Sequence, residues 1–141
     1  MLIIFEGVDK TGKSTLLKEV LKRTNYKHIV YDRGPVSQIV YSYLFDRDLD
    51  SSIYYVTSTL RNLKNLIVLC VADCDIIEQR LKDVNEELPD QLKDIKTVQK
   101  MFEAESYILG FNVLRVDTTN ASVDECIDMI LNKIKEIEEN D

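Results

Sequence analysis

A chain of 141 residues, 45% apolar and 30% charged, is large enough to bury a core and reads as one domain over 1–141. Its net charge of −7 excludes a general nucleic-acid coat or a polybasic membrane-surface protein, and no apolar run approaches the roughly 20 residues of a spanning helix. Cys70, Cys74 and Cys126 form no C-x-x-C pair and predict free thiols in a reducing, cytoplasmic setting, with no signal segment ahead of Met1.

The charge is uneven. Residues 1–64 carry 10 Lys and Arg against 7 Asp and Glu, whereas residues 65–141 carry 8 against 18. The basic half is the one expected to meet a small anionic ligand; the acidic half reads as solvated surface.

Residues 2–5 are continuously apolar, the pattern of a parallel strand buried on both faces. Gly7-Val8-Asp9-Lys10-Thr11-Gly12-Lys13-Ser14-Thr15 follows, with the spacing G-x-x-x-x-G-K-[ST], and an amphipathic helix is predicted over 13–24. Strand, loop and helix in that order make a phosphate loop. Gly7 and Gly12 let the backbone curl so that successive N–H groups face an anion, and the helix adds its positive end. Lys13 is placed to reach the β and γ oxygens of ATP, and the Ser14 hydroxyl to ligate Mg²⁺.

The next predicted elements are a strand over 27–31 and helices over 37–47 and 53–63. A buried strand over 66–71 and a helix over 75–84 follow. After a polar break at 86–89, a helix is predicted over 90–109, ended by Gly110. A strand over 111–116 leads to a last helix, opened by a capping box from Ser122 and Glu125. Strands alternating with helices predict an α/β fold, a three-layer P-loop NTPase sandwich with a parallel sheet of about four strands and helices on both faces. Ligands then belong at the C-terminal strand ends, where the phosphate loop, Asp32-Arg33 and Asp117 fall. Asp32 suits a metal held through water or an attacking oxygen, and Arg33 a second phosphate. The one histidine, His28, stands far from the cysteines in sequence, and no metal site is expected among them.

Phe5-Glu6-Gly7-Val8-Asp9-Lys10-Thr11-Gly12-Lys13-Ser14-Thr15 resembles the opening of thymidylate kinases, F-E-G-x-D-x-x-G-K-S-T. The stretch from Asp32 to Ser42 is similar to that family's D-R-Y-x-x-S-x-x-A-Y-Q, matching at Asp32, Arg33, Ser37 and Tyr41 and departing at Gly34, Val40 and Ser42. Residues 66–80 resemble the family's next strand and helix, whose arginine, here Arg80, leads into a lid, here 81–92.

The resemblance implies ATP-dependent phosphoryl transfer to a deoxynucleoside monophosphate, dTMP or another, with Mg²⁺. Gly7, Asp9, Lys10, Thr11, Gly12, Lys13, Ser14, Thr15 and Arg80 would bind ATP. Asp9, Arg33, Ser37 and Tyr41 would bind the acceptor; Ser14 and Asp32 would serve the metal. Lys13, Lys10, Arg33 and Asp32 would carry catalysis. Because 82–91 contains no arginine, the cation over the transferring phosphate is expected from Lys10.

The family's strand with an arginine-glutamate-proline motif has no counterpart, so the acceptor-base pocket is shortened; Tyr54, Tyr55 and Arg61 are candidate replacements. Two alternatives stay open: a kinase for a hydroxyl acceptor (a nucleoside or a polynucleotide 5′ end), and a nucleotide-binding protein without transfer. No membrane partner is expected, nucleic acid only as a 5′-end substrate, and a homodimer is left open.

Overall fold

The computed structural model describes residues 1–140. Four parallel strands form one sheet in the order β2-β1-β3-β4: β1 Leu2–Glu6, β2 Ile29–Asp32, β3 Asn65–Val71 and β4 Val113–Asp117. β1 pairs with β2 from Leu2↔Ile29 to Phe5↔Asp32, and with β3 from Leu2↔Asn65 to Glu6↔Leu69. β3 pairs with β4 from Ile67↔Val113 to Val71↔Asp117. All the strands therefore end on one edge, the edge that carries the phosphate loop.

β1 and β3 are buried at every position, which is why their sequences are apolar without alternation. Ile3, Phe5, Leu66, Val68 and Cys70 face a layer made by α1 (Lys13–Arg23) and α6 (Val123–Glu139). Leu2, Ile4, Ile67, Leu69 and Val71 face α2 (Pro35–Leu44), α4 (Cys74–Asp83) and α5 (Ile95–Ile108). This is the expected three-layer sandwich. The period-two split of strand side chains fixes which helix each residue meets.

β2 is an edge strand with exposed residues at Ile29, Tyr31 and Asp32, and among the described residues no further strand covers it. Two expected helices are corrected. The helix predicted over 90–109 is a short 3₁₀ turn, Asp90–Leu92, followed by α5. Asp94 divides them: its carboxylate accepts from Thr97 N at 3.3 Å and Thr97 Oγ1 at 2.8 Å, capping α5. The helix predicted over 53–63 is the shorter α3, Ser52–Leu60. All three cysteines are free, Cys70 and Cys126 fully buried; burial pushes the Cys70 thiol up to about 12.

Candidate active site

The phosphate loop spans from the end of β1 to the start of α1. Gly7 sits at φ +140, and a Cβ there would collide with the Cys70 carbonyl on β3. Gly12 sits at φ +82 and opens α1, with no side chain capping it, so the first N–H groups of the helix face the loop. Thr11 is buried and donates to Val8 O at 2.9 Å, which ties the loop to itself. Lys13 is buried while Ser14 and Thr15 are exposed.

The Lys13 ammonium meets the Asp32 carboxylate at the end of β2. Parallel pairing of Phe5 with Asp32 sets the end of β2 beside the end of β1, from which the loop leading to Lys13 runs. Asp32 is thus beside the phosphate loop.

Arg33 is the most heavily braced cation. It adopts φ +71, an uncommon conformation for a side-chain-bearing residue. Its N–H donates to Phe5 O at 2.9 Å. The guanidinium donates to Asp9 Oδ1 at 2.8 Å, Gly7 O at 2.8 Å and Ser37 Oγ at 3.0 Å. It also lies 5.1 Å from the centroid of the Tyr41 ring and 5.9 Å from that of Phe102. Asp9, Arg33, Ser37 and Tyr41, named from separate stretches of sequence, therefore form one cluster. Burial pushes the Tyr41 phenol upward, and Arg33 opposes the shift.

Glu6 organises this cluster from below and has no role in the sequence reading. It is fully buried and accepts from Gly34 N, from Ser37 N at 3.0 Å and from Ser37 Oγ at 2.5 Å. Burial pushes its carboxyl above the usual range, against the lowering pull of these donors and Arg33. Its signal in the sequence is a carboxylate closing an otherwise apolar strand.

On the other side of the loop, Lys10 adopts φ +66 and its ammonium lies 3.1 Å from Glu86 Oε1, in the segment after α4. Arg80 donates to Lys10 O at 2.8 Å, to Thr118 Oγ1 at 3.2 Å and to Thr118 O at 3.0 Å. Thr118 Oγ1 in turn donates to Thr11 O at 2.8 Å. Arg80 and Thr118 are thus struts that fix the loop backbone from the ends of α4 and β4. Thr118 is a second residue absent from the sequence reading.

Two clefts flank the Asp9–Arg33 pair. The first, about 640 Å³, is lined by Asp9, Lys10, Lys13, Ser14, Arg80 and Glu86, among others. The second, about 630 Å³, runs from Arg33, Ser37 and Tyr41 to Arg47, Asp50 and Ile53. Tyr54, Tyr55 and Arg61 do not line it. Both tyrosines point to solvent, and Arg61 donates to Leu109 O at 3.2 Å. Among the described residues no cluster of three or more His, Cys, Asp or Glu could hold a metal by itself, and no helix is long and apolar enough to cross a membrane.

No family model matches the chain. Two probable thymidylate kinases of Methanococcus maripaludis are 24% and 23% identical to it over 139 residues, covering 94% of this chain and 67% of theirs. The YorR protein of Bacillus subtilis, solved in complex with phosphorylated GDP, superimposes with a TM-score of 0.84 at 21% identity, over 100% of this chain and 99% of that one. By sequence the chain is similar to these probable thymidylate kinases, of whose length it spans about two thirds, and it shares the fold of YorR. A deoxyadenosine kinase of M. mycoides, solved with dCMP and dCDP, gives a TM-score of 0.66 at 18% identity, over 97% of this chain and all of that one. Thymidylate kinase of Candida albicans gives 0.63 at 15% identity, over 97% and 92%. These structural likenesses show a shared fold.

Proposed function

We propose that this chain transfers the γ-phosphoryl group of ATP to the phosphate of a deoxynucleoside monophosphate, giving the diphosphate. The observation that carries the reading is Arg33, braced by Asp9, Gly7 O and Ser37 between a cleft lined by the phosphate loop and a second cleft of similar size. A fixed guanidinium at that junction suits an acceptor phosphate held in line with the donor.

In the transfer, an acceptor phosphate oxygen forms a bond to the γ-phosphorus as the bond to the β–γ bridging oxygen breaks, and ADP leaves. The acceptor is already an anion and needs no strong base. Lys13, Lys10 and Arg33 balance charge on the transferring group; Lys10 must exchange Glu86 for phosphate to do so. The exposed Ser14 hydroxyl and the Asp32 carboxylate are hard oxygen donors of the kind Mg²⁺ takes, completed by phosphate oxygens. Such a metal would neutralise phosphate charge. The segment 81–92, which carries Glu86, would serve as the lid. The YorR complex, which holds phosphorylated GDP, supports a nucleotide ligand on this fold.

A hydroxyl-acceptor kinase is the second reading, favoured by the likeness to deoxyadenosine kinase; Asp32 would then be the base. ADP release from MgATP, measured with each deoxynucleoside monophosphate and each nucleoside, separates the two. We expect release with a monophosphate, reduced about 10²–10³-fold in Lys13→Ala. Release only with nucleosides moves Asp32 to the role of base. Silence with every acceptor, while ATP still binds, leaves a nucleotide-binding protein.

A further inference from the structure

The second cleft has a chemistry that changes along its length. A ladder of groups on the α2 side runs away from Arg33: its guanidinium is 5.1 Å from the Tyr41 ring, the Tyr41 and Phe45 rings are 6.1 Å apart edge to face, and the Arg47 guanidinium is 4.8 Å from the Phe45 ring. The Ser37, Tyr41, Phe45 spacing of four residues produces this ladder on one helix face. The far end of the cleft is lined by Arg47, Asp48, Leu49, Asp50, Ile53 and Val56.

Arg47 makes no ion pair among the described residues. Asp50 is held ionised by Ser52, whose N–H donates to it at 2.9 Å. Leu49, Ile53 and Val56 offer apolar contact. A planar fork of donors, two carboxylates lining the same cleft and apolar walls make a setting for an aromatic heterocycle, not for a second phosphate, which the carboxylates would repel.

The order of groups on the heterocycle decides which one fits. A guanidinium pairs with two adjacent acceptors, and a neighbouring carboxylate accepts from a donor next to them. Guanine offers N7 and O6 followed by N1–H; cytosine offers O2 and N3 followed by its amino group. Thymine and adenine alternate donor and acceptor, so the fork meets a donor wherever it spans two positions.

We propose that Arg47, with Asp48 and Asp50, selects an acceptor base carrying two adjacent acceptors beside a donor, that is guanine or cytosine over thymine or adenine. This rests on the second cleft being the acceptor site, and it departs from the thymidylate expectation.

Calorimetric titration of dGMP, dCMP, dAMP and dTMP into wild type and Arg47→Met tests it without turnover. The expected result is dGMP or dCMP binding at least about tenfold tighter than dTMP and dAMP. Arg47→Met should bring the four within about threefold, with an unchanged melting temperature because Arg47 is an exposed loop residue. Comparing dGMP with dCMP tells which base the edge belongs to. Equal or tighter dTMP or dAMP binding, a uniform loss across all four in Arg47→Met, or no binding of any monophosphate would each overturn the proposal. A parallel ADP-release assay keeps the two readings apart. Selective binding without turnover defeats the kinase alone, and turnover without selectivity defeats the base reading alone.

Discussion

Glu6 shows how a single buried residue can hold a cluster of polar side chains in place from below. Its carboxylate gathers Gly34 N, Ser37 N and Ser37 Oγ, and so sets the start of α2 against the end of β1. Ser37 then steadies Arg33 from the other side. Glu6→Gln keeps the volume but turns one oxygen into a donor facing donors. Leaving buried partners unsatisfied costs about 1–3 kcal/mol, so the melting temperature should fall by about 3–10 °C. The Michaelis constant for the acceptor should rise more than that for ATP, because Arg33 loses its brace while Lys13 does not. Equal changes in both constants would assign Glu6 to the fold alone. Asp9, Arg33, Ser37 and Tyr41 stand out in the sequence because two short stretches resemble the motifs of one kinase family, and the fold brings the four together. Glu6 and Thr118 do not, because their work is done through backbone groups whose position only the sheet register reveals.

At the scale of elements, legibility followed the strength of the local signal. α6 has both a hydrophobic stripe and a capping box, and both are present: Ser122 Oγ accepts from Glu125 N at 3.1 Å and Glu125 Oε1 from Ser122 N at 3.3 Å. The break between Leu92 and Ile95 was hidden because apolar residues keep helical spacing across it, while Asp94 and Thr97 quietly cap α5. Ile29-Val30-Tyr31 is strand-forming wherever it lies, and only topology puts it at the edge. α6 buries Cys126, Ile127, Ile130, Ile134 and Ile137 against the sheet, so most of its stability comes from packing. Ser122→Ala should cost about 1 kcal/mol, seen as a drop of about 2–5 °C in the thermal midpoint. Nucleotide binding should be unchanged, since α6 does not line either cleft. A midpoint unmoved within 1 °C would mean that packing alone holds the N-terminus of α6.

Across the whole molecule the two ends of the sheet are separated in role. The phosphate loop, Asp32, Arg33 and Thr118 gather at the C-terminal strand ends. His28, the one histidine of the chain, lies at the opposite end, just before β2. It is buried, with Nδ1 3.1 Å from the Met1 ammonium and Nε2 3.2 Å from Glu138 Oε1 at the end of α6. Burial, helped by the Met1 and Lys27 charges, lowers its pKa, and Glu138 only partly opposes this. The fold therefore favours neutral His28. As pH falls below about 6.5 the unfolded chain takes up this proton first. The stability that His28 contributes is present above that value and is lost as pH drops towards its depressed folded pKa. Glu6 works in the opposite sense at lower pH: raised by burial, it costs stability as pH climbs from its ordinary range through its folded pKa. Denaturant unfolding from pH 7.5 to 5.5 should show stability declining on the acid side, and His28→Gln should flatten that decline. A decline of equal slope in His28→Gln would place the titration elsewhere. Because His28 stands at the far edge of the sheet from the phosphate loop, the slope should be the same with and without bound ATP, which adds only a constant offset by mass action.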